Sequence, residues 1–553
     1  GTQSNQAKGL LAVAEFSLST REREFILASL RKVKVGERLR LSVLGAVLAL
    51  ALLASGLGLA ARAAQTQAER HRTEAEGLMG YMLGEFVDKV RPLGRLDLLD
   101  SISSRALGYL SAPDNTAASA VALTQRAKAL QVIAEVNIAR GDTAAAKVAL
   151  VVGQDISRRQ LKAAPEDATV LKNLGGNAFW LGQIHLDQKD WAQAEHYFTQ
   201  YREFSDRLAA ADPASVDGWI EQSYAHNSLG SLALKQSQIR RAAEEFSLSV
   251  TLKSRALAQA PADQSLAADL ADSLSWLAST REKLGDLDTA MLLYEREFQL
   301  VRGLHDAVPG DALWANRLSL AFAHQADLNL VRGRPEAAIA GYLQAQALLQ
   351  AIIRLDPSNR NWQLDLCSVQ LMLLTARADS ASAQETLRGL RQLHGKLTAL
   401  SVLEPKNLSL LRLIALTQHR VALTQLKISH SADARRSLAP ALDTLSRIHA
   451  KAPSDQAIRE ALAESLLLQA DIDRSGGDGE AARELCRRAR EVLRPVALGS
   501  SDFHLLAPWV RAHSCTDNDA IVARELNQLY EMKYREAGYL RFISDHLAKK
   551  GIK

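Results

Sequence analysis

The chain has 553 residues, 47% apolar and 23% charged, with only 13 prolines; this excludes a disordered or collagen-like polypeptide and favours a mostly helical one, rich in alanine, leucine, arginine, glutamate and glutamine. The formal net charge of +5 is mild for this length, and much of it falls in one basic cluster near the N-terminus, so no nucleic-acid groove is implied. Three cysteines, Cys367, Cys486 and Cys515, form an odd set without a CxxC pair, which argues against a disulfide scaffold or a zinc site.

The chain opens on Gly1 rather than methionine, so a fragment or processed chain is expected, with any catalytic domain upstream. Residues 1–40 read as a cytoplasmic juxtamembrane tail. The ten residues before position 41, "RKVKVGERLR", hold five basic side chains, Arg31, Lys32, Lys34, Arg38 and Arg40. Residues 41–61, "LSVLGAVLALALLASGLGLAA", then run without a charge. At 1.5 Å per residue such a helix spans about 30 Å of hydrocarbon, enough to cross a bilayer. Only Arg62 and Arg70 are basic in the ten residues that follow. The positive-inside rule therefore places the N-terminus in the cytoplasm and the repeats across an inner membrane, in a bacterial periplasm. Gly45 and Ala49, with Ala54 and Gly58, would let two spans approach closely, leaving a homo-oligomer open. "GLGLAA" matches a dinucleotide fingerprint by letter but has no preceding strand and lies in the span.

After a helical connector, 62–117, the chain repeats itself. Pro165, Pro213, Pro261, Pro309, Pro357, Pro405 and Pro453 are spaced by 48 residues, and a fixed period in this range marks a solenoid. Nineteen positions before each proline stands a small residue: Ala146, Ala194, Ala242, Ala290, Ala338, Thr386 and Ala434, with Ala482 continuing the series. Four residues later comes a large one: Leu150, Phe198, Phe246, Tyr294, Tyr342, Leu390, Leu438, then Cys486. Small and large members at i and i+4 share a helix face, one admitting a neighbour and the other filling the next layer. A second column, Ala134, Gly182, Gly230, Ala278, Ala326, Leu374, Ala422 and Ala470, runs twelve residues ahead of the first. Between the columns lie turn residues such as Gly141-Asp142, Lys189-Asp190, Gly285-Asp286, Gly333-Arg334 and Gly477-Asp478, suited to end one helix and cap the next.

"WLASTREKLGDLDTAMLLYEREF" and "FWLGQIHLDQKDWAQAEHYFTQY" resemble tetratricopeptide (TPR) repeats, with facing small residues, an aromatic residue and a terminal proline. The unit is lengthened from 34 to 48 residues by about a heptad in each helix, which keeps the apolar stripe on nearly the same face. The resemblance implies an all-α solenoid, a TPR-like superhelix of about eight helix-turn-helix repeats over 118–503, closed by a C-terminal helical cap over 504–553. Repeats six and seven, around "TARADSASAQETLRGL" and "LKISHSADARRSL", lack the Gly-Asp turn.

Two further stretches carry a family resemblance. "LSTREREFILASLRKV" resembles the segment that closes the ATPase module of bacterial STAND-type signalling NTPases. "AEGLMGYMLGEFVDKVRPLGRLDLLDSISSRALGYL", Ala75 to Leu110, is similar to the connector that follows the span in those and in related TIR-, caspase- or kinase-headed proteins. The resemblance implies an upstream effector, a span, and a TPR arm that senses or recruits. No GxxxxGK[ST] occurs in these residues, so no nucleotide site of their own is expected.

"DIDRSGGDGE", Asp471 to Glu480, begins like a calcium loop, but Ala482 stands where the bidentate glutamate belongs, and the stretch reads as the turn of repeat eight. "HSCTDND", His513 to Asp519, fits no metal spacing and reads as a polar loop. His185, His226 and His324 read as surface residues of first helices. No HExxH or GxSxG occurs. No catalytic residue, cofactor or metal is therefore assigned, and an enzyme is not expected within this chain. Stacked pairs expose an extended concave surface lined by first helices. In the TPR frame its expected residues are Phe179, Gln183, Tyr224, Asn227, Ser231, Asp272, Ser275, Asp327, His419 and Asp471. They lack the asparagine and lysine pairs of a carboxylate clamp. The expectation is a membrane-anchored module for a protein or peptide ligand, the arm of a bacterial signalling or defence protein. The alternatives are a free-standing periplasmic scaffold and an enzyme with a site among the repeats.

Overall fold

The computed structural model describes residues 2–13, 19–90, 120–378, 381–515 and 523–549. The chain divides into two compact units, 1–160 and 161–553. The first contains α1 (Thr2–Val13), α2 (Thr20–Val90), α3 (Ala120–Ala139) and most of α4 (Thr143–Ala163). α2 starts on a cap in which Ser19 donates to the Glu22 carboxylate through its amide at 3.0 Å and its hydroxyl at 2.7 Å. No proline interrupts the 71 residues of α2, so the tail from Thr20 onward, the apolar stretch and the start of the connector form one continuous helix. Part of it is long and apolar enough to cross a membrane, by length and composition, and its side chains are exposed. The remainder of the expected connector, 91–117, lies outside the described residues. Ala134 on α3 and Ala146 on α4 are fully buried, and Gln160 Nε2 donates to Ala120 O at 2.8 Å, fastening the ends of the pair.

The second unit is a stack of seven helix pairs: α5 (Ala168–Asp187) with α6 (Trp191–Ala211), α7 (Val216–Lys235) with α8 (Ile239–Gln259), α9 (Gln264–Lys283) with α10 (Leu287–Ala307), α11 (Ala312–Val331) with α12 (Pro335–Leu355), α13 (Arg360–Arg377) with α14 (Ala383–Leu403), α15 (Leu408–Lys427) with α16 (Ser431–Lys451), and α17 (Gln456–Ser475) with α18 (Gly479–Ala497). Then come α19 (Phe503–Ser514), α20 (Ala523–Glu531) and α21 (Ala537–Lys549). Each helix of the pairs packs on its successor, and no strand occurs among the described residues. The all-α TPR-like solenoid expected from the period is the architecture observed.

Each link proline is followed two residues later by a cap. Asp167, Ser215, Asp263, Asp311, Asn359, Asn407 and Asp455 accept a backbone N–H in the first turn of the next helix, satisfying a donor that the helix leaves orphaned. Inside the pairs, the tight turn carries a positive φ at Lys189, Ser237, Gly285, Gly333, Ser429 and Gly477. The small and large columns meet as expected: Ala194, Ala242, Ala290, Ala338, Ala434 and Ala482 are fully buried, and so are Phe198, Phe246 and Tyr342. Repeat six inverts the arrangement. Leu374 fills the small position, and Gly389 on the facing helix makes room, since a Cβ there would lie 2.7 Å from Leu374 Cδ2.

The superhelix comes full circle within this unit. Lys283 Nζ lies 3.1 Å from Asp502 Oδ2, Gln456 Nε2 lies 3.3 Å from Ser237 Oγ, and the Arg535 amide donates to Val331 O at 2.8 Å. One apolar cluster accordingly joins residues of α7 to α11 with residues of α15 to α21. The open concave surface expected from the repeat is therefore an interior here, since the last pairs and the C-terminal helices contact α7 to α11.

Candidate binding site inside the superhelix

The closure leaves a cavity of about 1470 Å³. Its wall is built mainly from the first helices of the pairs: Ser275 and Glu282 from α9, His324 and Asp327 from α11, Thr375 from α13, Arg412 and His419 from α15, Glu460, Glu464 and Asp471 from α17, His504 and Arg511 from α19. Tyr294 from α10 and Tyr534, Tyr539 and Phe542 from the C-terminal segment complete it. The pattern follows from the columns: small residues bury one face of each first helix against its partner, and the opposite face, polar in sequence, turns inward.

Of the expected groove residues, Ser275, Asp327, His419 and Asp471 come together on this wall. Asp471 is paired with Arg511 at 3.1 Å and Arg474 at 3.0 Å. Asp327 accepts from the Tyr342 hydroxyl, and burial raises its pKa. His419 Nδ1 lies 3.1 Å from Ser465 Oγ, and burial, with Arg420 and Arg511 beside it, lowers its pKa to about 3. It is neutral at physiological pH.

The other six do not line the cavity. Phe179 packs edge-on against Tyr201, with ring centroids 6.1 Å apart. Gln183 bonds within its own helix, to Asp187 at 3.0 Å. Tyr224 donates to Asp269, and Asn227 accepts from Ser273 at 3.3 Å. These two belong to a polar network around Lys253, whose ammonium donates to Ser273 Oγ at 2.7 Å and lies 4.9 Å from the Tyr224 ring centre. Burial lowers the Lys253 pKa to about 8. Asp272 is exposed and pairs with Arg317 at 3.1 Å. Ser231 is half-buried.

Sequence reasoning missed the charged heart of the cavity. Asp502 caps α19, accepting from the His504 amide at 3.1 Å, and also contacts the His504 ring and Lys283. Against the cost of burial, His504 and Lys283 hold the Asp502 pKa at about 2. His504, also against that cost, is raised to about 9 by Glu460, Asp502 and Glu282. Burial pushes Glu460 up to about 7. The His504 side chain is 44% exposed and lines the cavity. The signal for this cluster, Glu460 and Glu464 on one helix face, was in the sequence; its partner His504 arrives only through closure.

Two readings need correction. His185, His226 and His324 are not plain surface residues, because each faces a carboxylate: Asp190 at 3.1 Å, Glu245 at 2.7 Å and Glu297 at 3.1 Å. Cys486 and Cys515 form a disulfide with a Cα separation of 6.2 Å, fastening α18 to the end of α19. The odd count hid this pair, Cys367 being the buried remainder. The rest of the polar stretch after Cys515, 516–522, lies outside the described residues. Gly477 and Asp478 form the turn of their pair, Asp478 capping α18 through the Ala481 amide. No metal-holding group of His, Cys, Asp and Glu occurs among the described residues.

No protein-family model and no curated protein sequence matches the chain. Among solved structures, a STAND protein with a TPR sensor from Pyrococcus horikoshii aligns over 81% of this chain and 65% of its own, at 12% identity and a TM-score of 0.38. A tetratricopeptide repeat protein from Parabacteroides merdae aligns over 61% and 98%, at 12% identity and 0.34. BtubC from P. vanneervenii aligns over 46% and 90%, at 17% identity and 0.34. At these scores the superpositions add nothing to the pairing geometry itself.

Proposed function

We propose that the chain is a membrane-anchored protein-interaction module whose C-terminal unit receives a segment of a partner protein on the inner face of its superhelix. One observation carries the reading. The inner face is a single polar and aromatic cavity, about 1470 Å³, assembled mainly from the first helices α9, α11, α13, α15 and α17, and helical repeats serve recognition by presenting such a surface. Ser275, Asp327, His419 and Asp471 are its contact residues, with Glu460 and His504.

Anchoring falls to the apolar part of α2, with the basic cluster from Arg31 to Arg40 on the cytoplasmic side and the repeats beyond the membrane. The Cys486–Cys515 bond supports that side, since such bonds persist in oxidising compartments. In this reading the module is the sensing or recruiting arm of a larger signalling or defence protein of the STAND type.

The test is photo-crosslinking in native membranes from a reactive residue at Ser275 or His419, with exposed Leu292 as control. A defined protein adduct formed from the cavity positions and absent from the control is expected. Adducts from the control alone would refute the reading. Protease access to the repeats in intact spheroplasts tests the side, with cleavage expected.

A further inference from the structure

The last described residues do not extend the stack. α19 already covers the end of the final pair, with Leu505, Leu506, Trp509 and Val510 buried. The chain then doubles back, and residues 532–542, "MKYREAGYLRF", run along the wall of the cavity. We propose that this segment sits on the partner-binding surface of the C-terminal unit, and that the surface takes from a partner a peptide of the same chemistry, a basic side chain followed by an aromatic one. The inference rests on the reading of this unit as a recognition module.

Three contacts define that chemistry. Lys533 Nζ lies 2.9 Å from Asp288 Oδ2, at the start of α10. The Tyr534 ring packs on Phe503 with centroids 5.3 Å apart. The Arg535 amide donates at 2.8 Å to the carbonyl of Val331, the last residue of α11, where a helix leaves its acceptors unpaired. A cation, a ring and a main-chain N–H are thus read at three consecutive positions.

The turns of the stack supply an independent sign. Lys189, Ser237 and Ser429 adopt the same positive φ as the turn glycines, so the conformation alone does not require glycine. Gly285 and Gly333 are the turns against which the segment lies. A Cβ on Gly285 would come within 2.9 Å of Met532 Cε, and one on Gly333 within 2.9 Å of Arg535 O. At Gly477 nothing lies within 4 Å. At Gly333 the close neighbour is main chain, and there the absence of a Cβ is what admits the segment.

Tyr534 and Tyr539 pack into the apolar cluster, while the basic end of the segment is exposed. The Lys533–Asp288 pair is 60% exposed on both sides, and such pairs contribute little to stability. A tethered segment nevertheless competes strongly, because its effective concentration is high.

The test uses the full chain in nanodiscs and a fluorescent peptide of residues 532–542. In the Lys533→Glu/Tyr534→Ala variant the peptide is expected to bind about tenfold tighter than in wild type, because the tethered competitor is weakened. Adding Asp288→Lys is expected to abolish that binding. Gly333→Ser, a residue that two sister turns carry at this φ, is expected to speed amide exchange at Arg535 and to raise peptide affinity while the melting curve is kept. Equal binding to wild type and variant, or no binding to variants that melt like wild type, would overturn the inference. Tight peptide binding without any adduct in the crosslinking experiment would sink the functional reading alone; an adduct with no peptide effect would sink this inference alone.

Discussion

Lys283 and Asp502, 219 positions apart, meet at 3.1 Å, and His504 stands on the other side of the same carboxylate at 3.0 Å. This triad closes the superhelix, and it is also where protons are linked to folding. His504 holds its proton more tightly folded, at about 9, than unfolded, at about 6.5. Its contribution is full below about 6.5 and is lost as pH rises through about 9. Asp502, at about 2 against about 3.9 unfolded, contributes fully above about 4 and loses it as pH falls through about 2. Glu460, raised to about 7, opposes stability as pH climbs from about 4.3 to 7. Thermal melts are expected to show a steeper loss between pH 7 and pH 9.5, about one unfolded-to-folded His window, in wild type than in His504→Gln. Parallel slopes would remove His504 from the closure.

Packing between the columns is expected to be unforgiving at Gly182. A Cβ there would sit 2.5 Å from Phe198 Cε1, and Phe198 is fully buried. Gly182→Ala should cost about 1–3 kcal/mol by overpacking, read as a lower urea midpoint. Phe198→Leu in the same chain should recover part of it.

The Cys486–Cys515 bond closes a loop of 29 residues, for which chain entropy assigns about 3–4 kcal/mol. Oxidised wild type is expected to melt well above the reduced protein. Cys515→Ser should melt like the reduced form and ignore reductant.

The link caps recur with the prolines, and each is expected to matter locally. Asp263→Ala removes the acceptor for the Leu266 amide, 2.9 Å away, at about 1 kcal/mol. Amide exchange should rise in the first turn of α9 and not in α15.

The repeat, the pairing and the helix ends were legible because they are one-dimensional: a 48-residue period, small residues facing large ones, and turns between them. The caps at Asp167 and its equivalents were equally legible, in the same frame, two residues past each proline. Closure was not. Whether Lys283 meets Asp502 depends on small rotations between pairs that accumulate along the stack, and no local pattern records their sum. The groove residues divide on the same ground. Asp327 and His419 lie on the interior wall, whereas Tyr224 and Asn227 are taken up by Asp269 and Ser273 of the following pair, beside buried Lys253.

The most direct measurement is a cross-link across the closure. Ser237→Cys and Gln456→Cys, introduced into the full chain, are treated with a short bifunctional maleimide, and migration is followed on a denaturing gel. The side chains now meet at 3.3 Å, so rapid intramolecular linkage into one fast-migrating band is expected. A folded protein that shows no such band, with each cysteine still reactive to a monofunctional reagent, would mean an open spiral and no interior site.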